Sequence, residues 1–508
     1  MARALMVQGT GSGAGKSLIA AALCRIFRDK GVDVAPFKAQ NMALNSAITR
    51  DGGEMGRAQV LQAEAARVEP TVDMNPILLK ASGETGSQVI IHGKVHACMK
   101  AQEYYAFRKT AWEAVKESFD RLARLHELIV LEGAGSPAEI NLMDVDIVNM
   151  AAAKYAKAPV LLVGDIDKGG VFASLYGTVK LLGRQSSFIK GFIINKFRGD
   201  PAILGPGLDQ IHEKTGKPVI GVLPYIYDIG LPEEDGLGLR KGSNFKYRIS
   251  NSDKIKVVVV RLKYMSNFTD FDPLPQEPDV ELIYSANTAD IENADIVIIP
   301  GSKNTVQDLL LLREYGLDAG IKRAHAKGIQ IIGMCGGYQM LGKKIFDPRG
   351  VESSNKEVDG LGLLDIETVF ERNKTTCRVE AECLIPGICP TGSPPLQGYE
   401  IHMGESRGDI GVFKLIRYSS NSERCGLNPE PVFDGSQKEN CLGTYLHGIF
   451  ENDLFRRGIL NVIRVRKGLP PLNDTCSYGE IKENALNRLA DIVREHLDMK
   501  FIERLAGL

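Results

Sequence analysis

The stretch Gly333-Met334-Cys335-Gly336-Gly337-Tyr338-Gln339 sets a cysteine between an apolar, strand-like run and the start of a helical one, with glycine on both sides. A strand, a tight turn and a helix in that order expose a sulfur at the turn, and a helix N-terminus favours the thiolate, the nucleophilic form. Glycine neighbours permit a strained backbone and leave the approach open. The N–H of Gly336 can then help hold a developing oxyanion. A second donor is expected from "IIPGSKNT", where Gly301 and Ser302 follow another strand end. A thiolate also needs a proton carrier, and His447 in "GTYLHGIF" stands at the end of a strand-like run downstream. Taken singly, the cysteine could be a buried core thiol and the histidine a structural one; together they form a candidate nucleophile and base.

A second constellation opens the chain. "GTGSGAGKS", Gly9 to Ser17, lies between a strand-like run and a helical one. Glycines let backbone N–H groups turn inward around phosphate oxygens, and the helix N-terminus adds its positive end. Gly9, Thr10, Gly13 and Gly15 would form the loop, Lys16 would reach the β- and γ-phosphates, and Ser17 would ligate Mg²⁺. The usual spacing puts a glycine at position 10, where Thr10 stands, so Gly9 is one residue further out. Acidic residues at later strand ends suit a metal–nucleotide site: Glu132 in "VLEGAGS", and Asp165 and Asp167 in "LLVGDIDKGG". A helix cap or turn role is the alternative for each. The metal expectation is placed on Ser17, Glu132 and Asp165.

These residues need elements to hold them. "RALMVQG", "ELIVLEGAG", "APVLLVGDID" and "IKGFIINKF" are apolar runs ending in small or polar residues, with helical patterns such as "SLIAAALCRIFRDKG" and "DIVNMAAAKYAKA" between them. That alternation predicts βαβ units and a doubly wound parallel sheet, with ligands at the carboxyl ends of the strands. Residues 228–253 are rich in glycine, charge and Ser/Asn and lack periodicity. A second α/β unit begins at "KIKVVVVRL" and includes "ADIVIIPGS", "IQIIGMCGG" and "LGTYLHGIF". The expected division is a nucleotide-binding domain over 1–230, a linker over 231–253, a cysteine-bearing domain over 254–450 and a helical extension over 451–508. A chain of 508 residues exceeds one ordinary core, which agrees with that division.

Composition excludes several classes. Charged residues make up 25% and hydrophobic residues 44%, with a formal net charge of −1, so nothing favours nucleic acid or an anionic membrane as partner. No apolar run approaches the ~18 residues of a spanning helix. The nine cysteines are scattered without a paired framework, which predicts reduced thiols and a cytoplasmic protein.

The off-by-one glycine loop resembles the dethiobiotin synthetase branch of P-loop proteins, which make acyl phosphates from carboxylates and ATP. That resemblance implies a nucleotide contact for Asn195 in "IINKF". The motif G-x-C-x-G-x-Q resembles the nucleophile elbow of class I glutamine amidotransferases. It implies Cys335 and His447 as the catalytic pair, with Gly301, Ser302, Gly336 and Gln339 around the oxyanion and glutamine. That family usually carries Glu two residues after the histidine, where this chain has Ile449; Glu451, Glu400 or a Cys–His dyad alone are the open alternatives.

Along its length the chain is similar to the cobyric acid synthase family, carried by "GTGSGAGKS", "KAQNMALNS", "NPILLKASGETGSQVI", "NLMDVDIVN", "GDIDKGGVFAS", "NKFRGD", "SNFTDFDPL", "GMCGGYQMLG" and "GYEIHMG". The resemblance implies amidation of the b, d, e and g carboxylates of adenosylcobyrinic acid a,c-diamide, using ATP, Mg²⁺ and glutamine as ammonia donor. The acceptor is then a corrinoid. Gln40, Asn41 and Asn45 would bind its amide or carboxylate arms, or else form an Asn-rich turn. Asp146 would touch acceptor or metal, or serve as a helix N-terminal charge. Rival readings are cobyrinic acid a,c-diamide synthase, a P-loop nucleotide switch and a regulatory glutaminase-like module without turnover. The loops "KAQNMALNS" and "NKFRGD" favour the first reading over the diamide synthase, and the Cys335–His447 pairing argues against the switch.

Overall fold

The computed structural model describes residues 2–81, 86–227, 229–232, 254–418, 432–474 and 476–508. Most of the expected linker, 233–253, lies outside them, as do 82–85 within "ASGETG".

Two sheets of parallel strands dominate. In the first, six strands run in the order Val219–Pro224, Ile189–Phe197, Val160–Asp165, Arg3–Gly9, Leu128–Glu132, Val34–Phe37, all parallel. The central strands read as near-continuous apolar runs because helices cover both faces; Leu5, Met6, Val7, Ile129, Val130 and Leu162 are fully buried. In the second sheet the order is Val280–Ser285, Ile255–Val260, Ile296–Ile299, Gln330–Met334, Cys441–Thr444, with Ser436–Lys438 antiparallel at the edge. Both sheets are of the doubly wound kind expected from the alternation.

Two further sheets join these units. A mixed sheet is built on the long antiparallel pair Ile366–Cys383 and Leu396–Gly408, and the short strand Leu446–His447 pairs with the latter. A four-stranded sheet of Gln40–Met42, Ile77–Ala81, Gly86–Ile91 and Lys94–Lys100 stands beside the first parallel sheet. So "KAQNMALNS", expected as a loop, contributes a strand at Gln40–Met42 and another at its end, Ser46–Ile48. The helical pattern of "DIVNMAAAKYAKA" is realised only over Met150–Tyr155.

The residues from 453 on are helical, and their helices divide between the two cores. Helix Asp453–Arg466 packs Phe455, Ile459, Leu460 and Ile463 into the core of the second sheet. Helices Tyr478–His496 and Met499–Ala506 return to the first unit, where Leu486, Leu489, Val493 and Ile502 join Leu5, Val7 and Ile19. Buried Arg25 fastens this return through a bidentate pair with Glu483. Among the described residues no helix is long and apolar enough to cross a membrane.

Candidate active site

The strand Gln330–Met334 ends at Cys335, whose φ of 51° and ψ of −109° fall outside the helix that follows, Gly336–Leu341. This strained turn is possible because the next residues are glycine. A Cβ on Gly337 would lie 2.0 Å from the Ile299 carbonyl oxygen, and one on Gly336 would lie 2.9 Å from the Ser302 amide nitrogen. The elbow is therefore pressed against the end of strand Ile296–Ile299, which brings Gly301 and Ser302 beside the cysteine. Ser302 and Cys335 line one small pocket.

His447 reaches the same pocket from the short strand Leu446–His447, and the Cys335 thiol beside it donates to the Ile401 carbonyl at 3.4 Å. The histidine is buried, and its ring stacks on Tyr399 at 5.3 Å between centroids. Asp270 lies 2.6 Å from its Nδ1 and accepts the Gly448 N–H at 3.1 Å. Burial pushes the imidazole pKa down, but the Asp270 carboxylate, with a smaller contribution from nearby Cys335, outweighs it and raises it to about 10. The arrangement gathers a thiol, an imidazole and a carboxylate, with the carboxylate on the imidazole Nδ1, the constellation of a nucleophilic triad.

Asp270 is the residue that sequence reasoning missed. It stands in "SNFTDFDPL", a stretch quoted for resemblance alone, and nothing in its spacing to His447 marks it. Ile449 is buried and apolar. Neither carboxylate left open as an alternative faces the imidazole. Glu400 takes Arg417 at 2.6 and 2.8 Å and stands 3.6 Å from His402. Glu451 pairs with Arg57.

Gln339 is buried, lines the pocket beside Cys335, and its amide makes three hydrogen bonds. Its Nε2 donates to the Met403 carbonyl at 2.9 Å and the Tyr445 hydroxyl at 3.1 Å, while Oε1 accepts from Thr305 at 3.3 Å. It braces the elbow in the position where a substrate contact was expected.

The phosphate loop follows the strand Arg3–Gly9 and leads into helix Lys16–Asp29. Gly13 and Gly15 have φ of 72° and 96°, and a Cβ on Gly15 would fall 2.2 Å from Asn195 Nδ2. The displaced glycine has a physical reason: the aliphatic stem of Lys16 lies over Gly9, where a Cβ would sit 3.1 Å away. Thr10 donates its N–H to Val163. The Lys16 ammonium bonds the Gly11 and Gly135 carbonyls at 3.0 and 3.3 Å. Asn195 gives its amide to the Ala14 carbonyl at 2.9 Å, so it holds the loop itself.

Glu132, at the end of its strand, is the hub of this site. It accepts from Ser17 Oγ at 2.8 Å, Lys38 at 3.0 Å and Gln62 at 2.7 Å. Asp165 accepts from Lys196 at 3.0 Å and from the Asp167 N–H at 3.0 Å. Asp167 itself pairs with Arg198 at 2.9 Å. Mg²⁺ uses one or two protein oxygens plus phosphate and water, and the hydroxyl of Ser17 beside the carboxylate of Glu132 fits that donor set. Asp165 lines the same cleft.

That cleft encloses about 2270 Å³ and runs from the phosphate loop to Arg261, Phe268 and Tyr284 of the second unit. It exceeds an ordinary small-ligand pocket several-fold, room for a nucleotide and a large acceptor together. Gln40 and Asn41 line it, the first bonded to Tyr104 and the second to Gln59 at 2.9 Å. Asn45 does not line it. The chain turns inward after Met42 as the Arg57 N–H binds the Asn45 carbonyl, and the Asn45 side chain is buried away from the cleft. Asp146 lines the cleft, but its carboxylate accepts the N–H groups of Val148, Asn149 and Ala151, the helix-charge role.

Comparison with known proteins agrees with this two-centre architecture. A family model described as "CobQ/CobB/MinD/ParA nucleotide binding domain" matches residues 5–237, and one described as "CobB/CobQ-like glutamine amidotransferase domain" matches 256–455. The chain is 51% identical over 508 residues to a cobyric acid synthase of Thermodesulfovibrio yellowstonii, covering 100% of both. It is 50% identical to one of a Thermoanaerobacter species, covering 98% of each, and 49% identical to one of Caldanaerobacter subterraneus, covering 99% of each.

Proposed function

Since the chain belongs to the cobyric acid synthase family, we propose how its two centres divide the work of a glutamine-dependent amidoligase acting on a corrinoid. The observation that carries the reading is one chain holding both a Cys–His–Asp constellation and a phosphate loop whose lysine, serine and Glu132 converge on a large cleft. Family membership sets aside the diamide synthase, the nucleotide switch and the inactive regulatory module.

In the second unit Cys335 attacks the side-chain carboxamide of glutamine. The oxyanion is held by the amides of Gly336 and Ser302, and His447 passes its proton to the leaving ammonia. A glutamyl thioester remains. His447 then takes a proton from water, which attacks the thioester and releases glutamate. Asp270 keeps the imidazole in the orientation and charge state that both transfers need.

In the first unit a corrinoid carboxylate attacks the γ-phosphate of ATP and forms an acyl phosphate. Lys16 and the loop amides hold the phosphates, and Lys38 and Glu132 border the reacting groups. Bound Mg²⁺, held by Ser17 and Glu132, would neutralise phosphate charge. Gln40 and Asn41 contact the acceptor's arms. Ammonia displaces phosphate to give the amide. The carboxylates amidated are b, d, e and g of adenosylcobyrinic acid a,c-diamide, and the working division of the chain is 1–230, 254–450 and the helices beyond.

Mass spectrometry of the corrinoid tests this. With ATP, Mg²⁺ and the diamide, either glutamine or ammonium should add amides stepwise. Amidation at a and c of the unamidated acid, with the diamide untouched, would overturn the assignment of acceptor.

A further inference from the structure

Glutamine carries an α-carboxylate and an α-ammonium that a selective pocket must meet with opposite charges, and Gln339 is neutral. Beside Cys335 the pocket is lined by Lys80, Lys303, Lys374 and Glu352. Lys80 and Lys374 are already compensated: Glu54 accepts from them at 2.7 and 2.5 Å. Lys303 and Glu352 are not. Among the described residues Lys303 bonds only the neutral Oε1 of Gln88, at 3.1 Å. Glu352 bonds only Thr305, whose N–H it accepts at 2.8 Å.

We propose that Lys303 binds the α-carboxylate and Glu352 the α-ammonium of glutamine, with Gln88 of the nucleotide-binding unit as the positioning residue for Lys303. This rests on the glutaminase role of the Cys335 site. Burial pushes the Lys303 ammonium down and the Glu352 carboxyl up, although each feels the other's charge. Among the described residues neither has an ion-pair partner, and the substrate's two charged ends would supply one to each. Thr305 links the set to the elbow, since it holds Glu352 through its N–H and Gln339 through its hydroxyl.

The placement of Gln88 gives the pocket a tie to the other half-reaction. Lys80 and Gln88 are paired across neighbouring antiparallel strands and point to the same side. Their neighbours Leu79, Ala81, Ser87 and Val89 line the large cleft. One four-stranded sheet thus carries the acceptor cleft on one face and the brace of Lys303 on the other. The glutamine pocket is complete only with the nucleotide-binding unit in place.

The test measures, for each amide, release of its carboxylic-acid product by the full chain in the presence of ATP, Mg²⁺ and the corrinoid diamide. The amides are glutamine, 4-aminobutanamide (no α-carboxylate) and glutaramate (no α-ammonium). Lys303→Met should lower kcat/KM for glutamine roughly ten- to hundredfold, the usual range for a hydrogen bond to a charged group, and leave 4-aminobutanamide unchanged. Glu352→Gln should do the same for glutamine and leave glutaramate unchanged. Gln88→Ala should raise KM for glutamine several-fold with kcat retained. Equal losses on glutamine and on the truncated amides, or wild-type values for glutamine, would overturn the assignment. Ammonium-supported amidation, read by corrinoid mass in the same preparations, reports folding of the first unit. Its absence in the wild type would instead overturn the proposed amidation.

Discussion

The carboxylate of Asp270 stands 2.6 Å from Nδ1 of His447 across 177 residues of sequence, and both groups are buried. Asp270 sits in a 3₁₀ turn, Phe268–Phe271, that begins at Asn267, a non-glycine residue with φ of 51°. Asn267 receives the Ser46 N–H at 3.3 Å and stands 3.4 Å from His447 Nδ1. The base of the glutaminase centre is therefore set by a turn that also grips the chain entering the acceptor side.

Asp270→Asn should keep this geometry and lose the charge. Glutamine-dependent kcat should fall by about 10²- to 10⁴-fold, the range seen when a triad carboxylate is neutralised. Ammonium-supported amidation should persist. Parallel assays with the two nitrogen sources check it.

Cys335→Ala should abolish glutamate release and glutamine-dependent amidation, with ammonium still accepted. Electrophilic alkylation of the wild-type thiol, followed by peptide mass mapping, should label Cys335 in step with that loss.

The raised pKa of His447 makes stability depend on pH. Its ordinary value is about 6.5 and burial lowers it, yet Asp270 raises it to about 10. The folded state thus binds the proton more tightly than the unfolded chain. The resulting stabilisation is full below about pH 6.5 and is lost as pH rises through about 10. Thermal unfolding of the wild type and of Asp270→Asn between about pH 6 and about pH 10 should show the wild-type advantage shrinking as pH rises.

Gly15→Ala should disable the first centre. Left-handed backbone costs a non-glycine residue about 1–2 kcal/mol, and the new methyl would strike Asn195, 2.2 Å away, which holds the loop. Amidation should fail with glutamine and ammonium alike. ATP binding by calorimetry should weaken in parallel.

Glu54→Gln should loosen the contact between the units. Burial disfavours the Glu54 carboxylate, but the Lys374 and Lys80 ammoniums hold its pKa well below the usual range. Removing one partner of a buried ion pair costs about 3–5 kcal/mol, and here two lysines would be left uncompensated. Chemical denaturation should show that loss, and the wild-type contribution of Glu54 should vanish only as pH falls below the ordinary carboxylate range.

Cys335, Lys16 and Ser17 were legible from sequence because each sits at a strand-to-helix junction where local glycine spacing states the backbone shape. Strand alternation announced both parallel sheets for the same reason: burial on two faces leaves long apolar runs. Local signals say less where partners are distant. Gln339 has the motif position of a substrate contact and lines the pocket beside Cys335, while bonds to Met403, Tyr445 and Thr305 tie its amide to three other segments. The polar loop after Lys38 reads as one recognition segment, yet it reaches the cleft through Gln40, Asn41 and Met42 and not through Asn45, whose carbonyl is bound by the first N–H of helix Arg57–Ala66.

By itself the sequence determined the two chemistries, since a phosphate loop and a nucleophile elbow are each a few consecutive residues whose backbone geometry is locally encoded. Only the tertiary structure decided which carboxylate serves His447, where the C-terminal helices dock, that Lys80 of the first unit lines the pocket of the second and that Gln88 braces its Lys303. Those are contacts between residues far apart in the chain. Their side-chain types recur throughout it, and only the packing of the two units onto a shared sheet selects among them.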